Sequence, residues 1–266
     1  MTTDSAWEAW GQKDPYYGVI TNPKFRKSAL TAEARKEFFE SGHVHTDYVM
    51  LMIRQHVDPS FLPQSVLDFG CGVGRLVVPF AKLATQVVGM DVSSAMLLEA
   101  RRNCDEQAIS NVELLMSDDE LATLGQTFDL IHSYIVFQHI PPDRGRTIFG
   151  KLLSHIAGGG VGAIHVSYSK SHFANSHGVA PTPVVSAEAL PTDSLVPPAE
   201  LSPIIETASV PERDAPPNAD PEMQMNPYHM NELLFLMQSA GIRRFHTEFT
   251  DHGGELGVFM FFQKPH

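Results

Sequence analysis

Downstream of residue 61 the apolar positions follow two alternating rhythms. Short, dense runs at Ser65–Leu67, Thr85–Met90, Asn111–Met116, Phe128–His132 and Val161–Ser167 read as buried strands. Between them the apolar spacing turns helical. One helix begins at Leu76, and a second carries Ala95, Met96, Leu97, Leu98 and Ala100 behind the N-cap hydroxyls Ser93 and Ser94. A third spans Asp143–Ile156. Strands alternating with helices predict an α/β domain with a parallel, doubly wound sheet covered on both faces. Near the end, Met230–Ala240 is an amphipathic helix closed by Gly241. Two strands follow, Ile242–Thr250 and Glu255–Lys264, joined at Asp251-His252-Gly253-Gly254. Before residue 61 the spacing is helical over Ala32–Phe39 and Tyr48–Val57, and Asp14-Pro15-Tyr16-Tyr17-Gly18 reads as a turn.

Composition breaks this pattern in one place. Residues 171–226 hold ten prolines, eight acids and a single base, Arg213, so they carry −7 of the net charge of −12. Such a stretch has too little apolar surface to order itself, and reads as a partly disordered insert or a lid. The expected organisation is therefore a helical cap (1–60), a core (61–170), the acidic insert (171–226) and a closing helix with an antiparallel strand pair (227–266). The acidic balance argues against a nucleic-acid partner, whose phosphates demand a basic face. No apolar run is long enough for a membrane span, and MTTDSAWEAW has no basic segment or apolar core of a signal peptide. The two cysteines, Cys71 and Cys104, form no disulfide framework, so a cytoplasmic location is expected.

The chemistry concentrates at Val66-Leu-Asp-Phe-Gly-Cys-Gly-Val-Gly-Arg75. Glycines at 70, 72 and 74 between a strand and a helix mark a nucleotide crevice. The dinucleotide fingerprint would need a third glycine at 75, where Arg75 stands, and an acid inside the motif repels a pyrophosphate but suits an ammonium. Asp91 closes the second strand 17 residues after Gly74, and Asp118 and Asp119 follow the third. Acids at three successive strand ends around this glycine motif resemble the class I (Rossmann-like) S-adenosylmethionine (SAM)-dependent methyltransferases, over roughly residues 61–170.

That resemblance implies a seven-stranded, mostly parallel sheet completed by the antiparallel pair, and SAM as cofactor. The acidic balance, the several histidines and the lack of a base- or protein-methylation motif point to a small-molecule acceptor, at oxygen rather than nitrogen. The resemblance also implies cofactor contacts from Asp68, Gly70, Cys71, Gly72 and Gly74 at the methionine end, and from Asp91 and Val92 at the ribose. Asp118 and Asp119 would lie at the adenine, and Ser133 and Tyr134 beside the transferable methyl. His139, on the segment after the fourth strand, is the candidate general base, and His229 a weaker one. Tyr16 and Tyr17 are lid candidates. No catalytic metal is expected, because Ser133 and Tyr134 occupy the place where metal-dependent relatives carry an acid, and His43-x-His45 shares a face only in a strand. The competing readings are a SAM-binding module without catalysis and a nicotinamide-dependent reductase.

Overall fold

The computed structural model describes residues 2–170 and 219–266; the 171–218 part of the acidic insert lies outside the described residues. The chain runs through α1 (Thr3–Lys13), α2 (Pro15–Val19), α3 (Ala32–His56), β1 (Ser65–Phe69), α4 (Val77–Leu83), β2 (Gln86–Asp91) and α5 (Ser94–Glu106). It continues through β3 (Val112–Met116), β4 (Phe128–Ser133), α6 (Pro142–His155), β5 (Ile156–Lys170), α7 (Met230–Ser239), β6 (Phe245–Asp251) and β7 (Glu255–Gln263). The strands form one sheet in the order β3-β2-β1-β4-β5-β7-β6. The first five are parallel, while β7 pairs antiparallel with both β5 and β6. The order reverses between β1 and β4, which opens the crevice where ligands of such sheets bind.

Period-two alternation sorts the strand residues onto two faces. Leu67, Val88, Ile131, Ile164, Met260 and Phe262 pack with Phe149 and Leu152 of α6 and Leu233 of α7. Val66, Val87, Leu130, Ala163, Phe259 and Phe261 pack with Val49 and Ile53 of α3 and Phe80 of α4. A third cluster, around Trp10, Tyr16, Phe25, Phe38 and Met96, seats the N-terminal helices against α5.

The structure corrects three expected boundaries. Asp14–Gly18 is no turn: Pro15 sits at the first position of α2, where its fixed φ and missing N–H suit a helix start. The two helical patches at 32–39 and 48–57 are one helix, capped by the Thr31 hydroxyl, which accepts from Ala34 N. Gly42, in the gap between those patches, is buried where a Cβ would collide with the Arg75 carbonyl, so its role is close packing. Strand β6 starts three residues later than the pattern predicts, at Phe245.

Candidate functional site

At the carboxyl edge of the sheet lies a cavity of about 510 Å³. The glycine turn after β1 forms its floor. Gly70 and Gly72 have φ of +77° and +52°, which L-residues rarely adopt. A Cβ on Gly70 would strike Val136, and one on Gly72 would come within 2.6 Å of Val19, so backbone and cavity wall meet closely there.

Around this turn stand three polar anchors. Asp91 ends β2; its Oδ2 accepts from Gly72 N at 2.8 Å and its Oδ1 from Ser93 N at 2.9 Å. Burial pushes its carboxyl up to about 6, although those backbone bonds pull the other way. Asp68 is buried, and its Oδ1 accepts from His132 Nδ1–H at 2.8 Å. His132 Nε2 in turn lies 3.0 Å from His45 Nε2. Burial holds the His45 imidazole well below its ordinary range, with His132 and Arg75 adding to the effect. A neutral His45 ring donates its Nε2–H to His132. Among the described residues, the other Asp68 oxygen, Oδ2, is buried without a partner, and so is Nε of Arg75. Both residues line the cavity. Arg75 is nearly desolvated, which lowers its pKa, with Asp68 opposing. One of its few bonds runs from Nη1 to Ser41 Oγ at 3.4 Å.

The opposite wall is made by parts distant in sequence. Helix α1 lies across it with Asp4 and Trp7 facing in. Arg144 of α6 fixes α1 by two bonds to the Asp4 carboxylate, at 2.7 and 2.8 Å, while its Nε donates to Asp119 at 2.7 Å. Glu8 ties the same helix to the start of α5, accepting from Ser93 Oγ at 2.8 Å and Ala95 N at 3.2 Å. The C-terminal end of the acidic insert crosses here as well. Asp220 pairs with Lys13 at 2.9 Å and with Arg26, and Met223 and Met225 enter the cavity. Asn226 N donates to Gln138 O at 2.6 Å, which holds this strap against the segment after β4.

That segment carries His139. Its Nδ1–H donates to the Gln224 carbonyl at 2.8 Å, and the Trp7 ring packs edge-on at 4.8 Å. Burial lowers its pKa, with the Gln224 bond opposing, so the ring is neutral at pH 7 and its Nε2 keeps a lone pair. Two residues earlier than the turn that bears it, Ile135 has φ +58°, a strained conformation for a β-branched residue and one that costs about 1–3 kcal/mol.

Of the sequence-predicted site residues, the structure brings Asp68, Gly70, Cys71, Gly72, Asp91, Val92, Asp119, Tyr134 and His139 together around the cavity. Four do not line it. Asp118 is exposed and turns back to accept from Ala122 N at 3.0 Å, leaving Asp119 as the acid that faces inward. Gly74 faces Ala100 of α5, where its positive φ serves the entry into α4. Ser133 is fully buried, its Oγ unpartnered. His229 is exposed ahead of α7, too far out to serve as a base. The lid candidates are also corrected: Tyr16 is buried against Phe38, bonded to Glu99 and Asn103, and Trp7 covers the cavity instead. Cys71 lines the floor, but burial raises its thiol far above the ordinary range, so it is an inert neutral group there.

Sequence reasoning left out Arg75, Ser41, Asp4, Trp7, Arg144, Met223 and Met225, and read His252 of the terminal turn as an ordinary polar residue. His252, from the β6–β7 turn, meets Tyr134 Oη at 3.3 Å on the cavity wall. Only Arg75 had a signal within the motif, as the charged residue in place of a glycine.

Residues 66–160 match the family described as "Methyltransferase domain". The chain is 36% identical over 93 residues to the magnesium-protoporphyrin O-methyltransferase of Synechocystis sp., covering 35% of this chain and 38% of that protein. It is 35% identical over 75 residues to the ubiquinone biosynthesis O-methyltransferase of Mesorhizobium japonicum, covering 28% of this chain and 30% of that one. The chain thus spans about a third of the length of these curated relatives. A crystal structure of the magnesium protoporphyrin IX methyltransferase from Synechocystis PCC 6803 with bound SAH superposes with a TM-score of 0.56 at 16% identity, over 93% of this chain and 99% of that one. Residues 66–160 thus carry the match to a methyltransferase domain, and the seven-stranded sheet built around them has the class I, Rossmann-like fold seen in the SAM-dependent methyltransferases.

Proposed function

We propose that this chain transfers a methyl group from SAM to an oxygen of a small-molecule acceptor. The observation that carries the cofactor half is a pair of opposite charges in one cavity, Asp68 Oδ2 and Arg75 Nε, both buried and both unpartnered. A buried polar atom without a partner costs about 1–3 kcal/mol. An α-amino acid end, with its ammonium on Asp68 and its carboxylate on Arg75, relieves both. A pyrophosphate would satisfy Arg75 and face the Asp68 carboxylate. The Asp91 carboxylate at the end of β2 is the acceptor for ribose hydroxyls, and Val92 and Met96 supply apolar surface for a base.

When bound, SAM supplies an electrophilic methyl on a sulfonium; the rest falls to the chain. Charge diminishes during transfer, so alignment and exclusion of water count for most, contributing roughly 7–11 kcal/mol in well-oriented systems. Trp7, Met223 and Met225 form an apolar wall for that purpose. A hydroxyl acceptor must also lose its proton. His139 is suited to take it at Nε2, because its neutral ring is locked by the Nδ1–H bond to Gln224. The cap (1–60) and the end of the insert frame the acceptor space. The two curated relatives named above are O-methyltransferases, which supports oxygen. A cavity of about 510 Å³ on a chain of net charge −12 supports a small acceptor over a polyphosphate.

Isothermal titration tests the cofactor half. SAM and SAH bind at micromolar levels and NADH does not; the reverse result ends the proposal. Labelled methyl transfer into fractionated small metabolites tests the acceptor half, with the carbon chemical shift of a 13C-labelled methyl separating O- from N-methyl products.

A further inference from the structure

Away from the cavity, the end of α3 meets the edge strand β6. There His56, His246 and Glu248 bring one potential ligand atom each to within 4.8 Å of one another. The imidazoles of His56 and His246 lie face to face, 3.7 Å between centroids and 4° from parallel, so the two rings are neighbours but must swing out of the stack for their in-plane lone pairs to converge. His246 Nε2 also meets Glu248 Oε1 in a close contact. Among the described residues the His56 ring nitrogens have no hydrogen-bond partner. None of the three lines the cavity.

We propose that His56, His246 and Glu248 form a site for a borderline divalent cation of the zinc class, clipping the end of α3 to β6. Bonds of about 2.0–2.1 Å from Zn²⁺ to imidazole nitrogen and carboxylate oxygen put tetrahedral ligand atoms roughly 3.3 Å apart. The His56 ring is exposed at the end of α3 and can rotate out of the stack to bring its lone pair to a cation held by His246 and Glu248. Two imidazoles and a carboxylate select Zn²⁺, Co²⁺, Ni²⁺ or Cu²⁺ over Mg²⁺ and Ca²⁺, which favour all-oxygen shells. On binding, the cation takes the place of the direct contact between His246 Nε2 and Glu248, and the neutral imidazole carries its proton on Nδ1. Three protein ligands leave a fourth position for water. The proposal is independent of the methyltransferase reading, because it uses no cavity residue.

The test is a Zn²⁺ titration of the full chain, stripped with a chelator, against His56→Ala, His246→Ala and a His155→Ala control. The expected result is one saturable site at micromolar levels or tighter, weakened at least tenfold by either variant and unchanged in the control. Tm rises by roughly 5–10 °C at 100-fold excess of free Zn²⁺ over Kd in wild type, and not in the two variants. Mg²⁺ produces neither effect. The chain has 13 histidines, so the location of binding decides the matter. Equal affinity in His246→Ala, or no saturable binding, overturns the proposal. Circular dichroism and metal-free Tm of each variant establish that it is folded, and Glu248→Gln gives a second, milder probe if an alanine variant is not.

Discussion

The two halves of the cavity are built in different ways. The wall under β1 and β2 comes from one short stretch, Asp68 to Val92, in which each anchor is a few residues from a strand end. The facing wall gathers α1, the segment after β4, the strap at 219–228 and the β6–β7 turn, which are separated by up to about 250 positions. The first half is locally encoded and depends on backbone geometry. The second is held together by side-chain bonds such as Arg144 to Asp4, Asp220 to Arg26 and His139 to Gln224. We infer that the first half recognises the shared cofactor, while the second is free to vary with the acceptor.

Variants divide along that line. The largest effect is expected from His139→Gln, which lowers kcat by about 10²–10⁴-fold and leaves the SAM Kd within twofold. A loss of SAM affinity instead would move His139 to the cofactor half. Asp91→Ala is expected to weaken SAM on the order of 100-fold by titration, since it removes a charged acceptor from two hydroxyls. Asp68→Asn and Arg75→Met each cost roughly tenfold for SAM but nothing for 5′-methylthioadenosine, which lacks the amino-acid end. Equal losses for both ligands would mean a disturbed glycine turn, not a lost contact.

A pH series sharpens the same contrast. Burial raises the Asp91 carboxyl above the ordinary carboxylate range, to about 6. A raised acid favours the folded, cofactor-free protein at low pH, and that contribution fades as pH climbs through about 6. Cofactor affinity moves the other way, because donation from ribose hydroxyls needs the ionised form. Titrations should show affinity falling by up to about tenfold per unit below pH 6, flat above it, and no such slope in Asp91→Asn. The smallest effect belongs to Asp4→Asn, which loosens α1 and speeds SAH release a few-fold in stopped flow, in keeping with a partly exposed ion pair.

Much of the cofactor half was legible because its signals are local. Asp68, Asp91 and the glycines sit where strand ends must present them, whatever the rest of the chain does. Asp118 against Asp119 was not legible: adjacent residues after a strand end point different ways, and the bond from Ala122 N to Asp118 decides which one faces in. His229 and His139 looked alike as histidines near plausible elements. Their burial differs because the strap packs on the segment after β4 and leaves the start of α7 in solvent. Tyr16 and Trp7 were exchanged for a similar reason, since both flank the same cluster and only packing against Phe38 buries the tyrosine.

By itself the sequence determined the alternation of strands and helices, the parallel sheet with its antiparallel finish, and the acids at the carboxyl edge. These depend on periodicity and on turn residues, which act over a few positions. Only the tertiary structure decided which polar atoms were left without partners, which histidine became neutral and aimed, and which apolar side chains roof the cavity. Those outcomes depend on desolvation and on contacts between segments far apart in the chain, and no local pattern records them.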